Sequence, residues 1–315
     1  MSDAAPVGGV PPAPESTVEA AGGDQRRLAA VSLISLVNDE GLHRCCAQAA
    51  RAAARAADVE LQVIAVDCDR RGWNAARGLN AGLDAARHRW ALCVHQDVVL
   101  PPRWFARAEA SMAALRERDP RDPDPAVWGT VGVQQSGRFV GAVRDPNGPC
   151  RWGRPPSRVI ALDEHLLLVD RAAGLRFDPR VPGFHCYGTD LAIRARLAGR
   201  DAAVLDAPVV HLSSGRLDPA FREAADWMLD RWGGMLEHVI PTPAATLQRA
   251  TRGNAVRRRL VAAHRRVARR LRRGPAPSLG GWSMPRRMRE ELAGSVAGLP
   301  RGLAGRVADD RALRA

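Results

Sequence analysis

His95-Gln96-Asp97 sets an imidazole and a carboxylate two residues apart, close enough for both to converge on one metal ion or one phosphate. The trio follows Trp90-Ala91-Leu92-Cys93-Val94, a mostly apolar run without alternation, the pattern of a strand buried on both faces. Pro101-Pro102 lies just beyond and is expected to forbid further sheet pairing. In open α/β sheets ligands bind at the carboxyl ends of strands, which is where such a trio would stand. A strand end capped by ordinary polar residues would look the same, so the trio alone does not decide between the two.

The elements needed to position it can be read on either side. Val31 to Val37 is a strand ending in Asn38-Asp39-Glu40-Gly41, and Leu42 to Ala57 is a helix rich in Ala and Arg. Val59 to Val66 is a second strand, ending in Asp67 and Asp69, and Asn74 caps a helix that runs to Arg87. This β-α-β-α-β order predicts a parallel sheet with right-handed crossovers, placing Asp39, Asp67 and Asp97 along one edge. An amphipathic helix then runs to about Arg118. Val127 to Val133 and Arg138 to Val143 read as a hairpin around Ser136-Gly137. Asp145 to Pro156 is a Pro- and Gly-rich connection carrying Trp152, and Val159 to Val169 holds a strand with Asp163 near its start. Leu191 to Leu197 is a short helix closed by Ala198-Gly199, with Asp190 in its first turn, where a carboxylate suits the helix dipole. Ala202 to Leu205 and Pro208 to His211 are short strands.

At 315 residues the chain can hold one large α/β domain with appendages. No run of about 18 apolar residues predicts a transmembrane helix. The start, Met1 to Gly23, lacks a basic and an apolar segment, so no signal peptide is expected there, and residues 1–29 read as a disordered leader. Six cysteines without a Cys-x-x-Cys pair argue against a structural zinc site or a disulfide framework, and for a reducing cytoplasm. All 47 basic residues are arginine. From Arg249 onward 18 arginines face 4 acids, whereas the preceding residues hold 29 arginines against 30 acids. The charge therefore belongs to a tail, and a nucleic-acid-binding core is disfavoured.

Taken together, the chain resembles glycosyltransferase family 2, in the group that carries His-Gln-Asp instead of Asp-x-Asp. The resemblance rests on Asn38-Asp39-Glu40, Asn74 with Asn80-Ala81-Gly82-Leu83, and His95-Gln96-Asp97-Val98. It continues through Leu162-Asp163, Leu168-Val169-Asp170-Arg171, Phe177-Asp178, Phe184 to Leu191 with Arg194 and Gly199, and Val209-Val210-His211. It covers about residues 30 to 215 and implies a GT-A fold: a mainly parallel nucleotide-binding sheet flanked by helices, joined to a smaller acceptor-binding half. Three positions depart from the pattern. His95 replaces the first carboxylate, Gly188 stands where relatives often carry an acid, and Gly72-Trp73 replaces a longer loop.

The resemblance implies metal-dependent, inverting transfer of a sugar from a nucleotide-diphosphate sugar to a hydroxyl acceptor, a glycan or glycolipid. A divalent cation would neutralise the charge that grows on the departing diphosphate. Asp97 is the expected metal carboxylate, with His211 as second ligand and His95 on metal, ribose or diphosphate. Imidazole ligands favour Mn²⁺, with Mg²⁺ the alternative. Asn38, Asp39, Asp67, Asn74, Arg77 and Asn80 are expected on the base, ribose or phosphates. Asp190 is the expected base for the acceptor hydroxyl, with Asp163 in reserve, and Trp152, His185 and Tyr187 are acceptor-side candidates.

Residues 216–248 read as a helical extension in which Trp227, Met228, Trp232 and Met235 pack on the sheet, and 249–315 as a basic, loosely ordered tail. Within it, 249–273 places Val256, Leu260, Val267 and Leu271 on one stripe amid arginines. That stripe would suit either an anionic membrane surface or the protein's own flank. A sugar-nucleotide pyrophosphorylase and a catalytically degenerate scaffold remain alternative readings.

Overall fold

A computed structural model of the protein describes residues 28–146, 148–213, 218–236, 239–248 and 290. The leader as far as residue 27 and the arginine-rich 249–273 segment lie outside the described residues. Leu28, which the sequence reading assigned to the leader, is fully buried and already part of the core.

The first half alternates strand and helix: β1 (Ala30–Leu36), α1 (Glu40–Ala56), β2 (Glu60–Val66), α2 (Ala75–Ala85), β3 (Trp90–Val94), β4 (Val98–Val99) and α3 (Trp104–Arg118). Short strands follow: β5 (Pro125–Gly129), β6 (Val131–Val133), β7 (Phe139–Asp145), β8 (Gly148–Trp152), β9 (Ser157–Val159), β10 (Ala161–Leu162) and β11 (Leu166–Asp170). The remainder is α4 (Tyr187–Leu197), β12 (Asp201–Val204), β13 (Val209–His211), α5 (Pro219–Trp232), β14 (Val239–Pro241) and β15 (Thr246–Gln248). Among the described residues, no helix is long and apolar enough to cross a membrane.

The fold is α/β with mixed sheets. The main sheet runs β2-β1-β3-β11-β5-β12-β9. The β2/β1 and β1/β3 pairs are parallel, as two helical crossovers require. The sheet as a whole is mixed: β12 also pairs with β5 in parallel, but β11 runs antiparallel to both β3 and β5, and β9 antiparallel to β12. Strand direction is legible in a sequence only where a helix joins two strands. β11 arrives after a long excursion through other strands and enters from the opposite end.

That excursion builds a second sheet, β10-β6-β7-β13-β4, with β8 on the flank of β7. The hairpin read over Val127 to Val143 is therefore two things. β6 and β7 form it, while β5 stays in the main sheet and the chain changes sheets at Thr130. β4 also corrects the sequence reading. Val98 and Val99 do pair, with His211 and Val210 of β13, before Pro101 ends the run.

Buried side chains cover both faces of the main sheet, α2 and α4 on one side and α1 and α3 on the other. α4 begins at Tyr187, four residues earlier than expected. In α5, Met228 and Trp232 are buried, whereas Met235 lies beyond the helix end and is 57% exposed. α2 lies unusually close to the sheet because Gly78 and Gly82 face it. A Cβ on Gly82 would sit 2.3 Å from Ile34 Cγ2, and one on Gly78 would sit 2.4 Å from Cys68 Sγ. Gly82→Ala should therefore destabilise the fold by about 1–3 kcal/mol through overpacking, despite the gain of roughly 1 kcal/mol in helix propensity. Denaturant unfolding checks this, and a stabilised variant would contradict it.

Candidate active site

β3 is buried along its whole length and stops at Val94 because the next three residues turn. His95 N–H donates to His165 O at 3.0 Å, and Val98 N–H closes the turn on His95 O at 3.2 Å. Gln96 fastens this turn to the end of β1, its Oε1 accepting from the N–H groups of Asn38 and Asp39 at 2.9 and 3.0 Å. The two-residue pairing of β4 with β13 then sets His211 beside Asp97, with Leu212 N–H on Asp97 O at 2.9 Å.

The result is a cluster of His95, Asp97 and His211 whose donor atoms all lie within 4.8 Å of one another. It is the one such group found among the described residues. His211 Nε2 lies 3.4 Å from Asp97 Oδ1, and both side chains are largely buried. Burial alone would raise the Asp97 carboxyl, but the hydrogen bond to His211 and the nearby imidazoles hold it well below the usual carboxylate range. Burial and the neighbouring His211 push His95 down to about 4, so it is a neutral imidazole near neutral pH. Burial disfavours a charge on His211 too, but the bond to Asp97 outweighs it and its pKa is raised. One ionised carboxylate and two imidazoles at this spacing suit a divalent ion that accepts nitrogen and oxygen, such as Mn²⁺.

Surrounding groups hold these ligands in place. Tyr187 Oη and His95 Nε2 are hydrogen-bonded at 3.0 Å. The His211 ring stacks on His165 with centroids 5.4 Å apart. His165 is itself fixed by Asp163 Oδ1 at 2.6 Å from Nδ1 and by Thr130 Oγ1 at 2.5 Å from Nε2. Partners that orient metal ligands typically contribute 10–100-fold to affinity. Tyr187→Phe should accordingly weaken Mn²⁺ binding about tenfold with little change in the melting temperature. A direct Mn²⁺ titration tests this, and unchanged affinity would refute the orienting role.

Two chambers meet at the cluster. The first, about 340 Å³, lies between the ends of β1, β2 and β3, with Asn38, Asp69, His95, Gln96, Asp97 and Tyr187 on its walls. The second, about 430 Å³, lies toward the small sheet, with Trp152, Asp163, His185, His211 and Phe221 among its lining residues.

Several sequence candidates are thereby brought together: Asn38, His95, Asp97, Tyr187, His185, Trp152, Asp163 and His211 all line one chamber or the other. Others are placed elsewhere. Asp39 caps α1 through Leu42 N–H, and Asp67 caps the turn at Arg70 N–H and opens onto a neighbouring groove. Asn74 caps α2 and donates to the carbonyls of Pro179 and Val181. Asn80 brackets the backbone of Phe177 from both sides. Arg77 is exposed on α2 and lines neither chamber. Asp190 is fully buried, and its Oδ1 accepts from Trp232 Nε1 at 2.9 Å, so it reaches neither chamber. The residue expected to take a proton from an acceptor therefore lies apart from both chambers.

Three residues in or behind the site were missed: Asp69, Glu164 and His165. Asp69 stands two residues past Asp67, and Glu164-His165 directly follow Asp163. Their proximity to nominated acids was the available signal.

No known family profile matches the chain. A Fuscovulum blasticum protein described as "ATP synthase subunits region ORF 6" is 29% identical over 160 residues, 48% of this chain. The chain spans 62% of that relative's length. Among solved structures, the crystal structure of S. aureus TarS 1–349 is similar with a TM-score of 0.35 at 11% identity, covering 65% of this chain and 72% of that one. A likeness this distant carries no argument, and the reading of the site rests on its geometry.

Proposed function

We propose that the protein is a metal-dependent, inverting glycosyltransferase that takes a sugar from a nucleotide-diphosphate sugar and passes it to a hydroxyl acceptor. The observation that supports this most is the convergence of Asp97, His95 and His211 where two chambers meet. A donor and an acceptor need separate rooms that open on one reacting point.

In this reading the nucleoside lies in the first chamber, over Leu36, Val37 and Leu79, with Asn38 and Asp69 offering polar contacts to base or ribose. Asp97, His211 and His95 would hold a divalent cation against the diphosphate. When bound, that cation supplies neutralisation of the charge on the departing nucleoside diphosphate. Gln96 keeps the end of β1 in register with the ligand turn. Asp163 holds His165, which supports the ring of His211 from behind. The acceptor enters the second chamber beside Trp152 and His185.

The test is release of nucleoside diphosphate from a panel of UDP-, GDP- and dTDP-sugars, with and without Mn²⁺. Release that requires the cation and disappears with EDTA is expected for at least one donor. No release from any donor would contradict the proposal, and sugar-1-phosphate with pyrophosphate chemistry in its place would favour a pyrophosphorylase.

A further inference from the structure

The two chambers share a wall made of His95, Glu164, Phe184 and His185. Asp69 and Asp97 face the first chamber only, and Asp145 and Asp163 the second only. Among the described residues Glu164 is the one carboxylate that lines both. It sits between β10 and β11, against the first turn of α4, where the backbone N–H groups of Cys186 and Gly188 hydrogen-bond its carboxylate. The approach is close. A Cβ at position 188 would lie 2.9 Å from Leu162 O and 3.3 Å from Glu164 Cγ, so glycine there makes room for the Glu164 stem. Cys186 opens the helix with φ +63°, an uncommon conformation for a residue with a side chain.

Its neighbours are otherwise engaged. Asp163 accepts both the backbone N–H and the Nδ1–H of His165, and Asp190 is buried against Trp232. Asp97 belongs to the ligand cluster. Among the described residues Glu164 has no side-chain hydrogen-bond partner of that kind, and it lines both chambers.

We infer that Glu164 is the general base of the transfer, receiving the proton of the acceptor hydroxyl from the second chamber. This rests on the glycosyl-transfer reading above. The acceptor O–H bond breaks toward the Glu164 carboxylate while the acceptor oxygen forms its bond to the anomeric carbon. The bond from that carbon to the diphosphate oxygen breaks, and its electron pair leaves with the nucleoside diphosphate. Burial, and then the Asp163 charge beside it, raise the Glu164 carboxyl to about 8, against the opposing backbone N–H bonds. A base of that strength is well matched to proton transfer near neutral pH.

The experiment uses the full chain and water as the acceptor. Glu164→Gln is compared with wild type for hydrolysis of UDP-glucose and GDP-mannose, and for binding of UDP and GDP with Mn²⁺ by calorimetry. The expected result is a fall in kcat of at least about 100-fold, with nucleoside diphosphate affinity within about threefold of wild type. A kcat close to wild type overturns the inference while the glycosyl-transfer reading stands. A parallel loss of affinity also overturns it, by showing a structural role. If wild type neither binds nor hydrolyses any donor, the underlying reading fails and this inference falls with it. Should Glu164→Gln melt well below wild type, Glu164→Asp is read instead. A kcat reduced about tenfold or more at unchanged affinity supports the assignment, and an unchanged kcat removes it.

Discussion

Asp97→Ala is expected to abolish Mn²⁺-dependent release of nucleoside diphosphate, by about 10³-fold or more, and to remove the Mn²⁺-induced rise in melting temperature. The size follows from what is lost. Asp97 is the one carboxylate of the cluster, and without it two imidazoles remain with no negative charge to hold a dication. A cation on a departing diphosphate contributes several kcal/mol to the transition state, and each 1.36 kcal/mol is tenfold in rate. The fold should tolerate the change. His211 loses a partner 3.4 Å away but can stand neutral, at a cost of about 1 kcal/mol. Thermal melts with and without Mn²⁺, beside a donor-hydrolysis assay, make the measurement. An undiminished Mn²⁺ shift would take Asp97 out of the cation site.

Asp190 should behave in the opposite way, affecting stability and sparing turnover. Its carboxyl is 1% exposed, and burial raises it to about 6 against the opposing bond from Trp232 and the charge of Arg194. A folded-state value above the unfolded one means that the group's contribution is fully present below about pH 4 and is lost as pH rises through about 6. A shift of about two units corresponds to roughly 3 kcal/mol. Asp190→Asn keeps an acceptor for Trp232 Nε1 and carries no charge, so its melting temperature should gain on wild type as pH rises from 4 to 7. Asp190→Ala leaves that buried N–H unpaired and should lose about 2 kcal/mol. Donor hydrolysis by Asp190→Asn should stay within about threefold of wild type at pH 7, since Asp190 lines neither chamber. A collapse in turnover with intact folding would return Asp190 to the chemistry.

These two acids show what could and could not be read from sequence. β3 and its polar turn were legible because five apolar residues without alternation end abruptly in His95-Gln96-Asp97. The β1-α1-β2-α2-β3 crossovers follow from the same patterning. His211 could be nominated as a strand-end imidazole, but its place beside Asp97 depends on β4, two residues long and too short for any periodicity to reveal. The antiparallel entry of β11 is likewise invisible, since no crossover helix announces its direction. Asn74 and Asn80 look like ligand-binding side chains in sequence, yet their amides tie α2 to the 177–181 backbone. A bridging asparagine and a binding asparagine have the same chemistry, and the tertiary structure alone separates them. Gly188 illustrates the converse. In sequence it is a missing acid, and in the structure it is the space that lets Glu164 approach α4.

The proposed activity depends on three side chains, drawn from two distant strand ends, acting as one cation site beside a nucleotide chamber. Anomalous scattering from a crystal soaked with Mn²⁺ and UDP or GDP tests that directly. The expected result is one strong peak within about 2.0–2.4 Å of Asp97 and His211 donor atoms, with the diphosphate on its open side. A bound nucleotide with no peak there, or a peak ligated by other residues, would contradict it.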